Sequence, residues 1–205
     1  MGNVKYKPSI ITYPINMDLI NYHPDYTTDV LKGHELDIKP NIDYNYYLFD
    51  LAKSLNITYE DLFTIIAYET MGTFDPKCIN RSSGARGLIQ FNDIAASCIL
   101  DKHGNHLKSA NALISEYPTI KDQLSIPSKE NRIGGPVYQY LKKHGPYKDS
   151  EDLFLAVFYP AARDWNRNKL LPANIRRANP GLNRVCDYYN TAKSRIKLSK
   201  QINPD

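Results

Sequence analysis

Apolar residues along this chain recur at spacings of three and four in several stretches, the period of helices with one buried face. Tyr47, Leu48, Leu51 and Leu55 form the first such stripe and predict a helix over about residues 43–55. A second helix is expected from Thr58, where TYED loosely fits a capping box with Asp in the place of Glu, to Thr70. Gly72 is suited to its left-handed stop. Further helices are expected over 94–100, over 129–143 with the firm part after Pro136, over EDLFLAVFYPAARDW capped by Ser150, and over 182–196. Residues 101–127 read as loop and short turns. Residues 1–40 have no helical period and are rich in Tyr, Pro and β-branched residues, which predicts an extended arm with one or two short strands near Ile10–Tyr13. The expected fold is all-α, or α+β with helices strongly dominant: an N-terminal arm (1–40), then one domain (41–205).

One position breaks this pattern. In the helix that ends IIAYET, Leu62, Ile65, Ile66 and Glu69 fall within about 100° of one another, so Glu69 lies in the middle of the apolar face. Two readings are open. The side chain bends out to water at a fraying end, or it is held in an apolar cleft for chemistry. In the second case apolar neighbours and the negative end of the helix dipole both disfavour the charged form, so the carboxyl keeps its proton near neutral pH. That is the state a general acid needs. After a Gly84, Gly87 turn comes GLIQF, in which an amide, Gln90, and an aromatic ring, Phe91, are suited to an N-acetylated sugar.

Composition narrows the class. With 205 residues, 42% apolar and 23% charged, the chain has the make-up of an ordinary soluble domain, and no run approaches the ~18 apolar residues of a membrane helix. The N-terminus lacks a signal-type apolar stretch, and three cysteines do not close a disulfide framework. Charge is unevenly placed. Residues 161–205 carry ten Lys/Arg against three Asp, a net of +7 that leaves −3 for the rest. Such an end is either a solvated helix face or an attractor of polyanions such as nucleic acid or an anionic cell wall. Nucleic acid is the weaker expectation, because no recognised binding motif accompanies the charge.

The order ET…FDP…N…SGARGLIQF resembles the lytic transglycosylase and goose-type lysozyme group, whose members show a Glu-Ser pair, a Gly-Leu-Met-Gln motif and a later Tyr-Asn-x-Gly motif. Glu69-Thr70 stands for the first, and Gly87-Leu88-Ile89-Gln90 for the second. The third appears altered, as Tyr159-Pro160-Ala161-Ala162. The resemblance spans roughly residues 43–195, and the stretch QLSIPSKENRIGGPVYQYLKKHG…DLFLAVFYPAA is similar to the C-terminal half of phage-borne versions of this fold. It implies a lysozyme-like, transglycosylase-like domain and a peptidoglycan lytic transglycosylase. Glu69 would be the single catalytic acid and base on the MurNAc–GlcNAc bond, giving 1,6-anhydro products. Tyr159 would hydrogen-bond Glu69 or the substrate, Thr70 would orient the carboxyl, and Gly87, Leu88, Ile89, Gln90 and Phe91 would form the sugar-binding segment.

A hydrolytic muramidase, and an inactive virion or wall-binding protein on the same scaffold, are the competing expectations. The expected partners are peptidoglycan strands and other virion proteins, with the protein in a phage virion or in the host cytoplasm before lysis. No cofactor is expected. Cys98, Asp101, His103 and His106 have a spacing too short for a zinc site. Asp75 reads as a turn residue before Pro76, and Asp93 as the other available carboxylate. Trp165 reads as core more readily than as a sugar platform.

Overall fold

Helix α2 (Tyr59–Glu69) is the spine of the molecule, and its sequence explains both of its ends. At the start, the Thr58 side chain accepts a hydrogen bond from the Asp61 amide, satisfying one of the free N–H groups there. At the finish, the Gly72 amide bonds to the Ala67 carbonyl at 2.7 Å and the Met71 amide to that of Tyr68 at 3.3 Å, a Schellman closure. Its first left-handed residue is Met71, with φ of 52°, and Gly72 follows at 80°. The expected glycine stop is thus displaced by one residue.

The computed structural model describes residues 36–38 and 42–198. Helices dominate: α1 (Ile42–Leu55), α2, α3 (Asp93–Ala96), α4 (Ala110–Glu116), α5 (Ile120–Leu124), α6 (Pro136–His144), α7 (Ser150–Phe158), α8 (Ala173–Ala178) and α9 (Asp187–Arg195). The strands β1 (Leu36–Ile38) and β2 (Ile196–Leu198) pair in parallel, Leu36 opposite Ile196. Part of the expected arm is therefore tied to the chain's other end. The strands expected near Ile10–Tyr13 lie outside the described residues.

α7 is apolar on every side, and accordingly Leu153, Phe154, Leu155 and Ala156 are all buried. Its neighbours include α2, α6 and α9. It ends at Phe158 and does not run on to Trp165 as the apolar run suggests, because Pro160 has no N–H to continue the ladder; a 3-10 turn over Pro160–Ala162 follows. The cap is Asp149 and not Ser150: the Asp149 carboxylate accepts from the Asp152 amide at 2.7 Å, while the Ser150 hydroxyl donates to Asp61 at 2.6 Å. Two further differences concern residues 101–127, which hold α4 and α5, and α8, which was not expected. All three are seven residues or shorter, too short to establish a period. Among the described residues, no helix is long and apolar enough to cross a membrane.

Candidate active site

Glu69 is the last residue of α2, and its carboxyl is turned inward onto α9. The Tyr188 hydroxyl donates to Glu69 Oε1. Tyr188 is itself locked in place: its ring stacks on Phe158 at 4.6 Å and 6°, and meets Tyr68 and Phe154 edge-on at 5.4 and 6.0 Å. Five residues further along α9, Lys193 pairs with Asp61 at 2.6 Å. Tyr188 at one end of α2 and Lys193 at the other make the two helices antiparallel, and fix α9 along its length.

Burial pushes the Glu69 carboxyl up to about 7, and the bond from Tyr188, which favours the carboxylate, opposes this only in part. The Tyr188 phenol is driven well above its ordinary value, by burial first and then by the neighbouring Glu69 charge, so it remains a donor. The edge of Glu69 keeps some contact with solvent, so the group is enclosed without being sealed off. Other buried carboxylates are arranged in the opposite way. Asp61 is bonded to Lys193 and Ser150, and Asp152 to Arg163, which holds each below the usual carboxylate range. Among the described residues, Glu69 is the buried carboxyl with a phenol and no cation beside it.

The expected site residues separate into two sets. Tyr159 is not the tyrosine on Glu69: it is half-buried and packs edge-on against Trp165 at 5.8 Å. Thr70 does not spend its hydroxyl on the carboxyl, but donates to the Ile66 carbonyl at 2.6 Å and accepts from the Phe74 amide at 3.1 Å. It steers the chain as it leaves the helix. Leu88, Ile89 and Phe91 are buried at 0, 4 and 1% exposure, with Phe91 edge-on to Tyr140. They belong to the hydrophobic core. Gln90 is half-buried with φ of 53°, and its amide nitrogen donates to the Gly87 carbonyl at 2.9 Å. Its carbonyl oxygen has no partner among the described residues.

Gly87 has a specific reason to be glycine. Its φ is +81°, and a Cβ there would lie 2.9 Å from the side-chain oxygen of Gln123. That buried amide accepts from the Leu88 amide at 3.0 Å and donates to the Pro76 and Tyr117 carbonyls at 2.6 and 3.0 Å. Gln123 thereby clamps the whole 76–91 loop from α5. Nothing in the sequence marks it, since one Gln in IKDQL carries no signal. The loop is otherwise held by bridges from Arg86 to Ile79 and to Phe91.

Asp75 caps its own turn, accepting from the Lys77 amide at 2.8 Å, and Asp93 accepts from the Ala110 amide at 2.8 Å. Asp101 closes its loop through the His103 and Asn105 amides, and His106 Nδ1 faces the Ser97 carbonyl at 2.9 Å. Comparison of the chain with family models, with curated proteins and with solved structures finds no match. The chemistry of the site therefore rests on its own geometry.

Proposed function

We propose that the protein cleaves peptidoglycan glycan strands, with Glu69 as a single general acid and base, in the manner of a lytic transglycosylase on a lysozyme-like scaffold. The observation that carries this reading is a buried carboxyl pushed up to about 7 and held by a phenol, with no cation paired to it among the described residues. At neutral pH about half of such groups hold a proton, which matches the demand of a glycosidic oxygen for a donor. After the leaving sugar departs, the carboxylate takes the proton from the muramic 6-hydroxyl as that oxygen attacks the anomeric carbon. The product is a 1,6-anhydro ring, and Glu69 is re-protonated. The acetamido group of the substrate supports the positive charge at that carbon, so no second carboxylate is required.

Three features support the assignment. Asp61 and Asp152 are committed to ion pairs, which leaves Glu69 to act alone. Of the four described non-glycine residues at positive φ, Met71, Phe74 and Gln90 fall in the 71–90 segment that follows it. Each costs ~1 kcal/mol or more, and backbone strain of this kind concentrates where loops are shaped for ligands. Finally, Gln90 keeps an amide oxygen for a substrate N–H, and Tyr188 takes the orienting role expected of Tyr159.

Digestion of purified bacterial walls, followed by mass spectrometry of the soluble fragments, tests the reading. Anhydro-muramoyl ends are expected; reducing ends reassign the enzyme as a hydrolase, and no fragments at all sink it. Tyr188→Phe should lower the rate about 10-fold, the weight of one hydrogen bond to a charged group. It should also move the alkaline limit of activity upward, because the interaction that lowers the Glu69 pKa is lost. A merely structural tyrosine would leave that limit where it was.

A further inference from the structure

We propose that the exposed basic face built on residues 168–184 binds a phosphodiester polymer without bases, an anionic polyol-phosphate chain of the bacterial wall. The choice of source rests on the wall-cleaving reading of Glu69; the phosphate chemistry rests on this face alone. Within the segment, Leu170 and Arg184 form an antiparallel bridge, and the Leu171 and Val185 amides bond across it to the Asn183 and Lys169 carbonyls at 2.8 and 3.1 Å. Three cations are fixed on this small frame. Arg184 Nη1 donates to the Asn168 carbonyl at 2.7 Å, and Arg176 Nε donates to the Leu171 carbonyl at 3.0 Å. Lys169 Nζ sits 3.7 Å above the Trp165 ring. Arg177 stands beside Arg176 on α8, a helix that buries none of its residues.

Two observations turn this from a solvated face into a site. First, all four cations are exposed and none has an acidic partner among the described residues. The acids nearby are committed: Asp149 and Glu151 to Arg167, Asp152 to Arg163, Asp164 to Lys148, and Asp187 to the Asn183 and Arg184 amides. Second, Arg176 and Arg184 are each anchored by one nitrogen only. Arg176 has both Nη atoms to spare, and Arg184 its Nε and Nη2. A guanidinium held by one corner against a carbonyl loses little freedom when the remaining fork closes on phosphate oxygens.

The same geometry argues against nucleic acid. Single strands are gripped by stacking bases on open aromatic faces. Trp165 is covered by Lys169 and flanked by Tyr159 at 5.8 Å, and no aromatic residue occurs between Trp165 and Tyr188. The face offers phosphate contacts and no platform.

The test uses the full-length protein and fluorescence anisotropy with labelled soluble poly(glycerol phosphate), with poly(dT) of equal charge as the second arm. Binding is expected, steeply weakened by salt. Lys169→Gln/Arg176→Gln/Arg184→Gln should weaken it roughly 10- to 100-fold and reduce the log–log salt slope by about 2, the change for three phosphates on a flexible chain. Lys169→Gln alone breaks no backbone hydrogen bond and should weaken binding about 3-fold, which keeps the test valid if the arginine variants do not fold. Failure of the wild-type chain to bind, or equal binding by both variants, overturns the proposal. Tighter binding of poly(dT) makes the partner nucleic acid and overturns it as well. Poly(glycerol phosphate) has no glycosidic bond, so the outcome is independent of whether Glu69 cleaves walls.

Discussion

Glu69→Gln should reduce wall cleavage by at least ~100-fold, the lower end of what a positioned proton donor supplies. The amide keeps the shape of the carboxyl and still accepts from Tyr188, yet has no proton to give. The wild-type rate should fall as pH rises past about 7, where the carboxyl loses its proton. The substitution that lowers activity should raise stability, by an amount that depends on pH. Below about pH 4.5 the group is protonated in folded and unfolded chains alike and contributes nothing. Between there and about 7 the unfolded chain releases the proton while the folded one retains it, so rising pH favours unfolding. Above 7 the accumulated penalty is about 3 kcal/mol, from 1.36 kcal/mol for each unit between the two values. Urea denaturation should therefore find Glu69→Gln more stable than wild type at pH 8 and indistinguishable from it at pH 4. A variant that clears walls at the wild-type rate, with contaminating hydrolases excluded, would refute the assignment.

The second large effect is structural. Arg163 makes a two-pronged ion pair with the fully buried Asp152, Nη2 to Oδ2 at 2.6 Å and Nε to Oδ1 at 2.7 Å, and also donates to the His144 and Pro146 carbonyls. It thus ties the turn after α7 to the end of α6. Arg163→Met leaves a buried carboxylate without its counter-ion, which typically costs ~3–5 kcal/mol. The loss, measured by denaturant titration, should be greatest at neutral pH. It should shrink as pH falls towards the carboxylate range, because protonation of Asp152 removes the stranded charge. The wild-type pair adds to the same trend: with its pKa held low, Asp152 stabilises the fold above the unfolded value and loses that contribution on acidification. Since α7 carries Phe154 and Phe158 onto the ring of Tyr188, loosening it should also disturb the support of Glu69. Asp152→Asn in the Arg163→Met background should recover part of the loss, as a neutral amide is less costly to bury.

The long helices were legible because each repeats its stripe over enough residues to be unambiguous. α1, α2, α6 and α7 lie close to where periodicity puts them. α4, α5 and α8 hold five to seven residues and show no repeat. Their ends are set by local bonds in two cases: Ser109 accepts from the Ala112 amide, and Thr119 with Asp122 forms a reciprocal capping box, whereas α8 has no side-chain cap. In GLIQF an apolar pair followed by an amide and an aromatic ring was visible. Which of them would be covered was not, because burial of Leu88, Ile89 and Phe91 depends on what packs over the turn from elsewhere.

What the sequence alone determined is that Glu69 stands on the apolar face at the end of an oily helix, at 100° per residue; that its side chain turns inward, where burial raises its pKa, and not out to water was decided by packing. Which hydroxyl meets it was decided only in the tertiary structure. Tyr188 is 119 residues away and is one of sixteen tyrosines, and neither spacing nor motif marks it. A hydrogen bond needs placement to a few tenths of an ångström, whereas a periodic pattern fixes only the face of a helix. That placement comes from α9 lying antiparallel on α2, secured at its far end by Lys193 on Asp61, and from Phe158 holding the tyrosine ring. Local propensity selects the helix and its buried side; packing between segments distant in sequence selects the partner.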